Sequence, residues 1–190
     1  YTDVNGKIVN NGFRYYTDPA FWDDHRNKLV LLGMIAPDVT ADVIKSITDK
    51  GETRGNFMPS FFHGDHASVF VAGSYLRGWR DYDIDRAYKL LLNNATIEGR
   101  GGRPYLKEYI ERGWISEEHM DPPFVIHDER KAAVTKTQEY SYDDYATAIL
   151  AKELGRHEDH DMLRARTSNY KNRFNPANGF RRGRYDDGSG

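Results

Sequence analysis

A segment of six residues, 21–26, brings together two aromatic rings, two carboxylates, an imidazole and a guanidinium. Charged groups form strong hydrogen bonds with hydroxyls, and an indole offers a broad apolar face with a polar N–H at its edge. The Asp-Pro pair at 18–19 is typical of a helix N-cap followed by a first-turn proline, so we expect Asp23 and Arg26 near the start of a helix that faces a cleft. The segment predicts a contact site for a polar ligand such as a sugar. The alternative is a solvated helix face with Trp22 in the core.

A second cluster, residues 63–66, has two histidines at i, i+3 spacing with an aspartate between them. Zinc is one interpretation, but a zinc site needs three or four ligands and the sequence shows no obvious further partner. We therefore favour Asp65 as the N-cap of a helix and His66 as a polar group turned into a cleft.

A third cluster consists of Glu139 with Asp143 and Asp144, in a tyrosine-rich stretch. Ser141 and Asp144 have the spacing of a capping box, which predicts that a helix begins there. The capping box does not explain Glu139. This carboxylate could bind a hydroxyl, act as a general acid or pair with an arginine, and the arginine pair is the simplest structural explanation.

We assign no function to two further polar clusters. Residues 157–161 follow a glycine and precede an apolar stripe, which indicates the exposed first turn of a helix. Residues 3–6 begin like a calcium loop but lack its further ligands, so a turn is the better interpretation.

The elements that must position these clusters are almost all helical. The N-terminal residues 1–17 are expected to be short extended pieces joined by turns, and periodic apolar residues then predict six main helices. In order, these begin at Asp18, near Asp38, at Asp65, at Asp83, near Ser141 and just after Gly155, with a short helix at 104–113 and an irregular stretch at 114–137. We expect an all-α fold of stacked αα-hairpins that forms part of an α/α toroid, with residues 1–190 as a single domain.

The amino-acid composition excludes several classes of binding partner. The 190 residues carry 27 basic and 29 acidic side chains, a net charge of −2, which argues against binding to nucleic acid or to an anionic membrane surface. Aromatic residues make up 13% of the chain, and no cysteine is present for disulfides or thiolate metal sites. The absence of an apolar run of about 20 residues argues against a membrane span. Because the first residue is Tyr1, we expect a processed, trimmed or excised piece of a longer protein.

Together these motifs resemble the catalytic domain of glycoside hydrolase family 92, the calcium-dependent exo-acting α-mannosidases. The resemblance runs over nearly the whole chain in blocks at 1–6, 21–26, 62–67, 74–78, 138–144 and 169–172. It implies part of an (α/α)6 toroid, with the N-terminal β-sandwich and the rest of the toroid outside this chain. It also implies inverting hydrolysis of terminal α-mannosides and a calcium ion whose ligands lie outside the chain.

The resemblance assigns roles to particular positions. Asp23 falls on the aspartate of the family's Trp-Asp-Thr block, which binds the −1 mannose, with Trp22 and Arg26 beside it. Glu139 falls on a recurring family glutamate that supports the cleft. The predicted substrate-binding residues are Trp22, Asp23, Arg26, Asp65, His66 and Glu139.

No catalytic residue is expected within this chain. The family's acid belongs to a Glu-Gly-Asn-Ala-Trp-Gln-Tyr block that would begin shortly after Gly190, and its base lies further on. Two departures from the family pattern bear on specificity: Asp24 replaces a threonine, and residues 63–66 stand where many members have a longer Gly-Asn-Glu-Thr segment.

The sequence therefore predicts a segment that contributes sugar binding to a secreted or periplasmic α-mannosidase, inactive by itself and working on an α-mannoside glycan with the remainder of its parent protein. The alternatives are a non-catalytic helical carbohydrate-binding or scaffold module and another α/α-toroid glycosidase.

Overall fold

The computed structural model describes residues 2, 5–7, 10–60, 62–99, 101–117 and 131–189. In this part of the chain the fold is almost entirely helical, with one short antiparallel pair of strands. The helices are α1 (Phe21–Asp24), α2 (Lys28–Ile35), α3 (Pro37–Thr53), α4 (Ala67–Leu76), α5 (Ile84–Thr96), α6 (Leu106–Arg112), α7 (Ala133–Glu153), α8 (His157–Arg166) and a 3-10 helix (Asn169–Arg173), and the strands are β1 (Phe174–Asn175) and β2 (Phe180–Arg181).

Consecutive helices pack as pairs, and the pairs stack on one another. Contacts join α2 to α3, α4 to α5 and α7 to α8, while α4 and α5 also pack against α7. The main core lies between these pairs and contains side chains that are at most 4% exposed, among them Ile44, Ile47, Phe70, Leu90 and Leu150. Stacked helix pairs around one core are the all-α architecture that the sequence predicts.

The first predicted helix is divided into two. α1 spans only four residues, and α2 begins anew where the Asn27 side chain accepts a hydrogen bond from the Lys28 amide. The predicted N-cap at Asp18 is wrong: Ala20 occupies that position, and the Asp18 carboxylate instead accepts from Lys50 Nζ at 2.7 Å. A cation 32 positions away in the chain thus takes the carboxylate that would otherwise cap the helix.

The longest helix, α7, begins at Ala133, earlier than the sequence predicts. The predicted capping box is wrong because Ser141 and Asp144 lie in the helix interior, where the Ser141 hydroxyl donates to the carbonyl of Thr137 at 2.7 Å. Residues 133–137 of the predicted irregular stretch are therefore helical, and residues 118–130 lie outside the described part.

Other predicted boundaries are confirmed. The Asp83 side chain caps α5 by accepting from the amide of Arg86, and α8 begins at His157 directly after the turn at Gly155. The short helix expected at 104–113 is α6. No helix in the described ranges is long and apolar enough to cross a membrane.

Candidate functional site

A buried carboxylate on α7, that of Asp143, organises the loop that leads into α4. It accepts hydrogen bonds from the Asp65 amide at 2.8 Å, from His66 Nδ1 at 2.5 Å and from the Ser68 hydroxyl at 3.4 Å. The loop can approach α7 this closely because residue 64 is glycine: a Cβ there would lie 2.7 Å from Asp143 Oδ2 and 2.8 Å from His66 Cε1. Asp143 therefore fixes both the backbone and the imidazole at the start of α4.

The same imidazole faces a second carboxylate. Glu139 lies one helical turn before Asp143, so both project from one face of α7. His66 Nε2 lies 3.3 Å from Glu139 Oε2, an ion pair that lacks hydrogen-bond alignment. Burial alone would lower the pKa of His66, but the charges of Asp143 and Glu139 outweigh it and raise the pKa to about 10. His66 is therefore an imidazolium at neutral pH.

Glu139 connects this buried pair to the first predicted cluster. Its Oε1 accepts a hydrogen bond from Trp22 Nε1 at 3.1 Å, across 117 positions of sequence. Burial would raise the pKa of Glu139, but the contacts from His66 and Trp22 outweigh burial and hold the pKa below its usual value. The expected partner of Glu139 was an arginine, and the structure supplies a histidine and an indole instead.

The indole is part of an aromatic platform, which we define as Trp22 and Phe62. Their rings stack with centroids 5.9 Å apart and an interplanar angle of 22°. Phe62 adopts a φ of +70°, a left-handed conformation that costs roughly 1–3 kcal/mol in a non-glycine residue, and the residue is 59% exposed. Arg26 lies over the same indole, with its guanidinium carbon 6.0 Å from the ring centroid. The strained backbone at Phe62 therefore holds an exposed ring beside Trp22.

Asp23 and Asp24 follow Trp22 in α1 and differ in their surroundings. Asp24 forms an i, i+4 ion pair with Lys28 at 2.8 Å, an ordinary helix-surface contact. Asp23 is exposed and, among the described residues, has no side-chain hydrogen bond or ion pair. Asp23 is thus the carboxylate beside the platform that is available to a ligand.

The structure places Asp65 behind this site rather than at its surface. The predicted N-cap role is wrong, because His66 occupies that position and no side chain caps α4. The fully buried Asp65 carboxylate is bound instead by Arg103, with Nε at 3.0 Å and Nη2 at 3.3 Å. The same guanidinium donates to Asp144 at 2.5 Å. A direct substrate contact by Asp65 stays a prediction, and the observed geometry gives it a supporting position.

Sequence reasoning missed two residues of the site, Arg103 and Phe62, and named Asp143 only as a member of the Glu139 cluster, without a role. Arg103 directly follows a glycine-rich loop, and nothing else in the sequence marks it as a site residue. Asp143 lies four residues after Glu139, which is a detectable helical spacing once α7 is extended. Phe62 directly precedes the histidine cluster and has no polar atom to draw attention to it.

The described residues do not fit a metal ion. They contain no group of three histidine, aspartate, glutamate or cysteine side chains arranged for one, and the two buried carboxylates behind the platform already face cations: Asp65 faces Arg103, and Asp143 faces His66. Calcium prefers six to eight oxygen ligands, which this donor set cannot supply. The zinc alternative for residues 63–66 has no support in this geometry, and calcium ligands outside the chain stay a prediction.

Comparisons with known proteins connect this geometry to a family. The chain superposes over its full length on a family 92 alpha-mannosidase from Bacteroides thetaiotaomicron solved in complex with mannoimidazole, with a TM-score of 0.85 and 25% identity, and it covers 25% of that chain. An inverting mannosidase of the same family and organism matches over 99% of this chain with a TM-score of 0.83 and 23% identity, which supports the fold. The helix pairs thus correspond to part of the family's α/α toroid.

A curated protein and a family model agree with the structural matches. An uncharacterized secreted glycosidase from Arthroderma benhamiae is 30% identical over 119 residues, which are 58% of this chain and 14% of that protein. The chain therefore spans about a quarter or less of the relatives that it matches. The model of the glycosyl hydrolase family 92 catalytic domain matches residues 1–190, and the chain belongs to this family.

Proposed function

We propose that this chain forms one wall of the −1 sugar subsite in an inverting exo-α-mannosidase of larger size. The observation that carries the proposal is a partly exposed aromatic platform next to a carboxylate, that of Asp23, which directly follows Trp22 in α1 and has no partner among the described residues. Aromatic faces pack on the apolar face of a sugar ring, and a carboxylate accepts hydrogen bonds from its hydroxyls. The family and its solved alpha-mannosidases support the choice of mannose.

The chain's own residues would act by binding and positioning. Asp23 accepts hydrogen bonds from sugar hydroxyls, and Arg26, which has no ion-pair partner among the described residues, donates to them. Glu139 does not need to touch the sugar, because its hydrogen bond to Trp22 already fixes the plane of the indole. His66 keeps Glu139 ionised, and Asp143 keeps His66 protonated and in place.

Inverting hydrolysis also needs a general acid and a general base about 6.5–9.5 Å apart, with a water between the base and the sugar. We propose that both carboxylates belong to parts of the enzyme outside these 190 residues. The chain alone is then expected to release no mannose from aryl or disaccharide α-mannosides, and calcium-dependent turnover by the chain alone would contradict this division of roles. We further propose secretion or a periplasmic location, in line with the secreted relative.

The experiment compares Asp23→Ala with Asp24→Ala in the longest natural polypeptide that contains this sequence. Removing one charge-assisted hydrogen bond of about 1.5–3 kcal/mol lowers kcat/KM for an aryl α-mannoside by roughly 10- to 160-fold in Asp23→Ala. Asp24→Ala removes only a surface ion pair and leaves kcat/KM within about twofold.

Circular dichroism on both variants separates binding from folding. Equal activity in the two variants contradicts the assignment of Asp23, and loss of helical content in Asp23→Ala makes that residue structural. A panel of α-mannosides, α-glucosides and trehalose identifies the sugar. Hydrolysis of a glucoside alone would favour a different toroid glycosidase.

A further inference from the structure

A cavity of about 260 Å³ lies beside the proposed sugar subsite and shares Arg26 with it. Its polar lining comes from the end of α1, from α4 and from α7, through His25, Arg26, Ser74, Arg77 and Tyr142. The volume is slightly below the range of about 300–1,000 Å³ that is typical of pockets for drug-sized ligands. A small polyatomic ion or one sugar ring is the right size for it.

The charge of this cavity is strongly positive. Arg26 and Arg77 both line it, neither has an ion-pair partner among the described residues, and the lining contains no aspartate or glutamate. The imidazole of His66 lies behind His25, with ring centroids 4.5 Å apart, but its two carboxylate partners offset its charge, so the two arginines supply the positive charge of the cavity. The carboxylates of Glu139 and Asp143 are paired with His66 and do not line the cavity.

The position of Arg77 depends on a glycine one turn earlier in α4. A Cβ at Gly73 would lie 2.6 Å from Arg77 Nη1, so the guanidinium folds back over the helix into space that only glycine leaves open. The sequence thus provides a cradle that keeps this cation at the cavity instead of extended into solvent.

His25 adds a specific hydrogen-bonding requirement. It is 3% exposed, its Nδ1 lies 2.9 Å from the carbonyl of Phe21, and its Nε2 has no hydrogen-bond partner among the described residues. Since a carbonyl only accepts, Nδ1 carries the proton, and in the neutral ring Nε2 is an acceptor. Burial and the neighbouring His66 lower the pKa of His25, which favours this neutral form. A ligand that satisfies Nε2 therefore needs a hydrogen-bond donor, and on a small anion that donor is a hydroxyl group.

We propose that this cavity binds an oxyanion that also carries a hydroxyl group, either free hydrogen phosphate or the carboxylate end of a sugar acid. The anionic oxygens lie against Arg26 and Arg77, and the hydroxyl donates to His25 Nε2. This ligand is distinct from the neutral mannoside of the proposed subsite, and its binding does not depend on hydrolysis.

The first measurement is a calorimetric titration at neutral pH and constant ionic strength, in the longest natural polypeptide that contains this sequence. Inorganic phosphate is expected to bind with millimolar affinity, and sulfate, which has no hydroxyl at this pH, at least about fivefold more weakly. Methyl α-D-glucuronide distinguishes the two sources of the ligand: tighter binding than phosphate identifies a sugar acid, and weaker binding identifies the free ion. The proposal is overturned if neither probe binds, or if sulfate binds as tightly as the better of them.

Variants test the named residues. Arg77→Gln removes one charge-assisted contact and weakens phosphate or glucuronide binding by about tenfold. Gly73→Ala pushes the same guanidinium away, so we expect it to weaken binding as well, although the protein keeps its charge. Arg182→Gln is the matched control, because it removes an exposed arginine outside the lining, and its affinity is expected to stay within twofold of wild type.

A spectroscopic readout places the ligand. The imidazole nitrogens of ¹⁵N-labelled His25 are expected to shift on titration with the better probe, and the shift is expected to saturate with the calorimetric affinity. Binding that leaves the His25 signals unchanged, or that Arg77→Gln and Arg182→Gln weaken equally, overturns the assignment to this cavity. These titrations measure anion binding and do not require hydrolysis. The proposal of an anion site and the proposal of a mannose subsite can therefore fail independently.

Discussion

The ion pair between His66 and Glu139 gives the sharpest quantitative prediction. At the observed 3.3 Å and an effective dielectric constant of about 20, two unit charges attract by about 5 kcal/mol. The variant Glu139→Gln removes this attraction but keeps an oxygen that accepts from Trp22 Nε1, and Asp143 still holds the other side of the ring. We therefore expect a net loss of about 2 kcal/mol in the free energy of unfolding, well below the full Coulomb energy.

The pH dependence of this loss follows from the two titrating groups. The pKa of His66 is raised to about 10, so its stabilising charge is complete below its unfolded pKa of about 6.5 and is lost as the pH rises toward 10. The pKa of Glu139 is lowered, so its share is lost as the pH falls below about 4.5. The difference between wild type and Glu139→Gln is therefore largest at about pH 5 to 6.5 and disappears toward pH 10.

The assay is denaturant unfolding over this pH range, together with an NMR titration of the His66 imidazole. Glu153→Gln is the control, because Glu153 lies on the same helix in an exposed pair with Arg80 at 3.2 Å, which should be worth at most about 1 kcal/mol. The reasoning is refuted if the two variants lose equal stability at every pH, or if the pKa of His66 is the same in Glu139→Gln as in wild type.

Three further predictions concern the packing around the site. Gly64→Ala forces a methyl group into Asp143 and His66 and should lower the free energy of unfolding by about 1–3 kcal/mol, measured in urea. Arg103→Met leaves the buried carboxylates of Asp65 and Asp144 without their shared cation and should cost about 3–5 kcal/mol; a loss below 1 kcal/mol would show that the network is dispensable. Phe62→Gly relieves the left-handed backbone and should keep or raise the melting temperature while weakening sugar binding, and unchanged sugar affinity would remove this ring from the platform.

The local signals in the sequence predicted much of the fold. Asp83 and the glycines at 113 and 155 mark helix ends that the structure confirms, because caps and left-handed glycines act within a few residues of their own position. Asp18 and Asp65 have the same local appearance as Asp83 but do not cap. Their carboxylates are taken by Lys50 and Arg103, at separations of 32 and 38 residues that no local pattern contains.

The start of α7 was missed for a different reason. Its buried face contains Thr137, Ser141, Asp143 and Asp144, so the apolar periodicity that normally reveals a helix is weak along its first half. The two carboxylates among them, Asp143 and Asp144, are satisfied by partners on other elements, and those partners become visible only in three dimensions.

In the site, as in the fold, the sequence predicted what depends on neighbouring residues and not what depends on residues far apart in the chain. The sequence predicted Trp22, His66 and Glu139 as members of three separate clusters, from residue type and local spacing alone. Their connection through one imidazolium and one carboxylate spans up to 117 positions and could not be derived from any single segment. Arg103 was missed and Asp143 received no role, because both side chains are buried and their partners lie far away in the sequence.

The central claim is that the turn containing Trp22 and Asp23 forms a wall of a mannose subsite. The most direct test is the affinity of mannoimidazole, the ligand bound by the family 92 alpha-mannosidase from Bacteroides thetaiotaomicron, for the longest natural polypeptide that contains this sequence. We predict that Asp23→Ala weakens this affinity by roughly 10-fold or more and that Asp24→Ala changes it by less than about twofold. Equal affinity of both variants and wild type would contradict the claim.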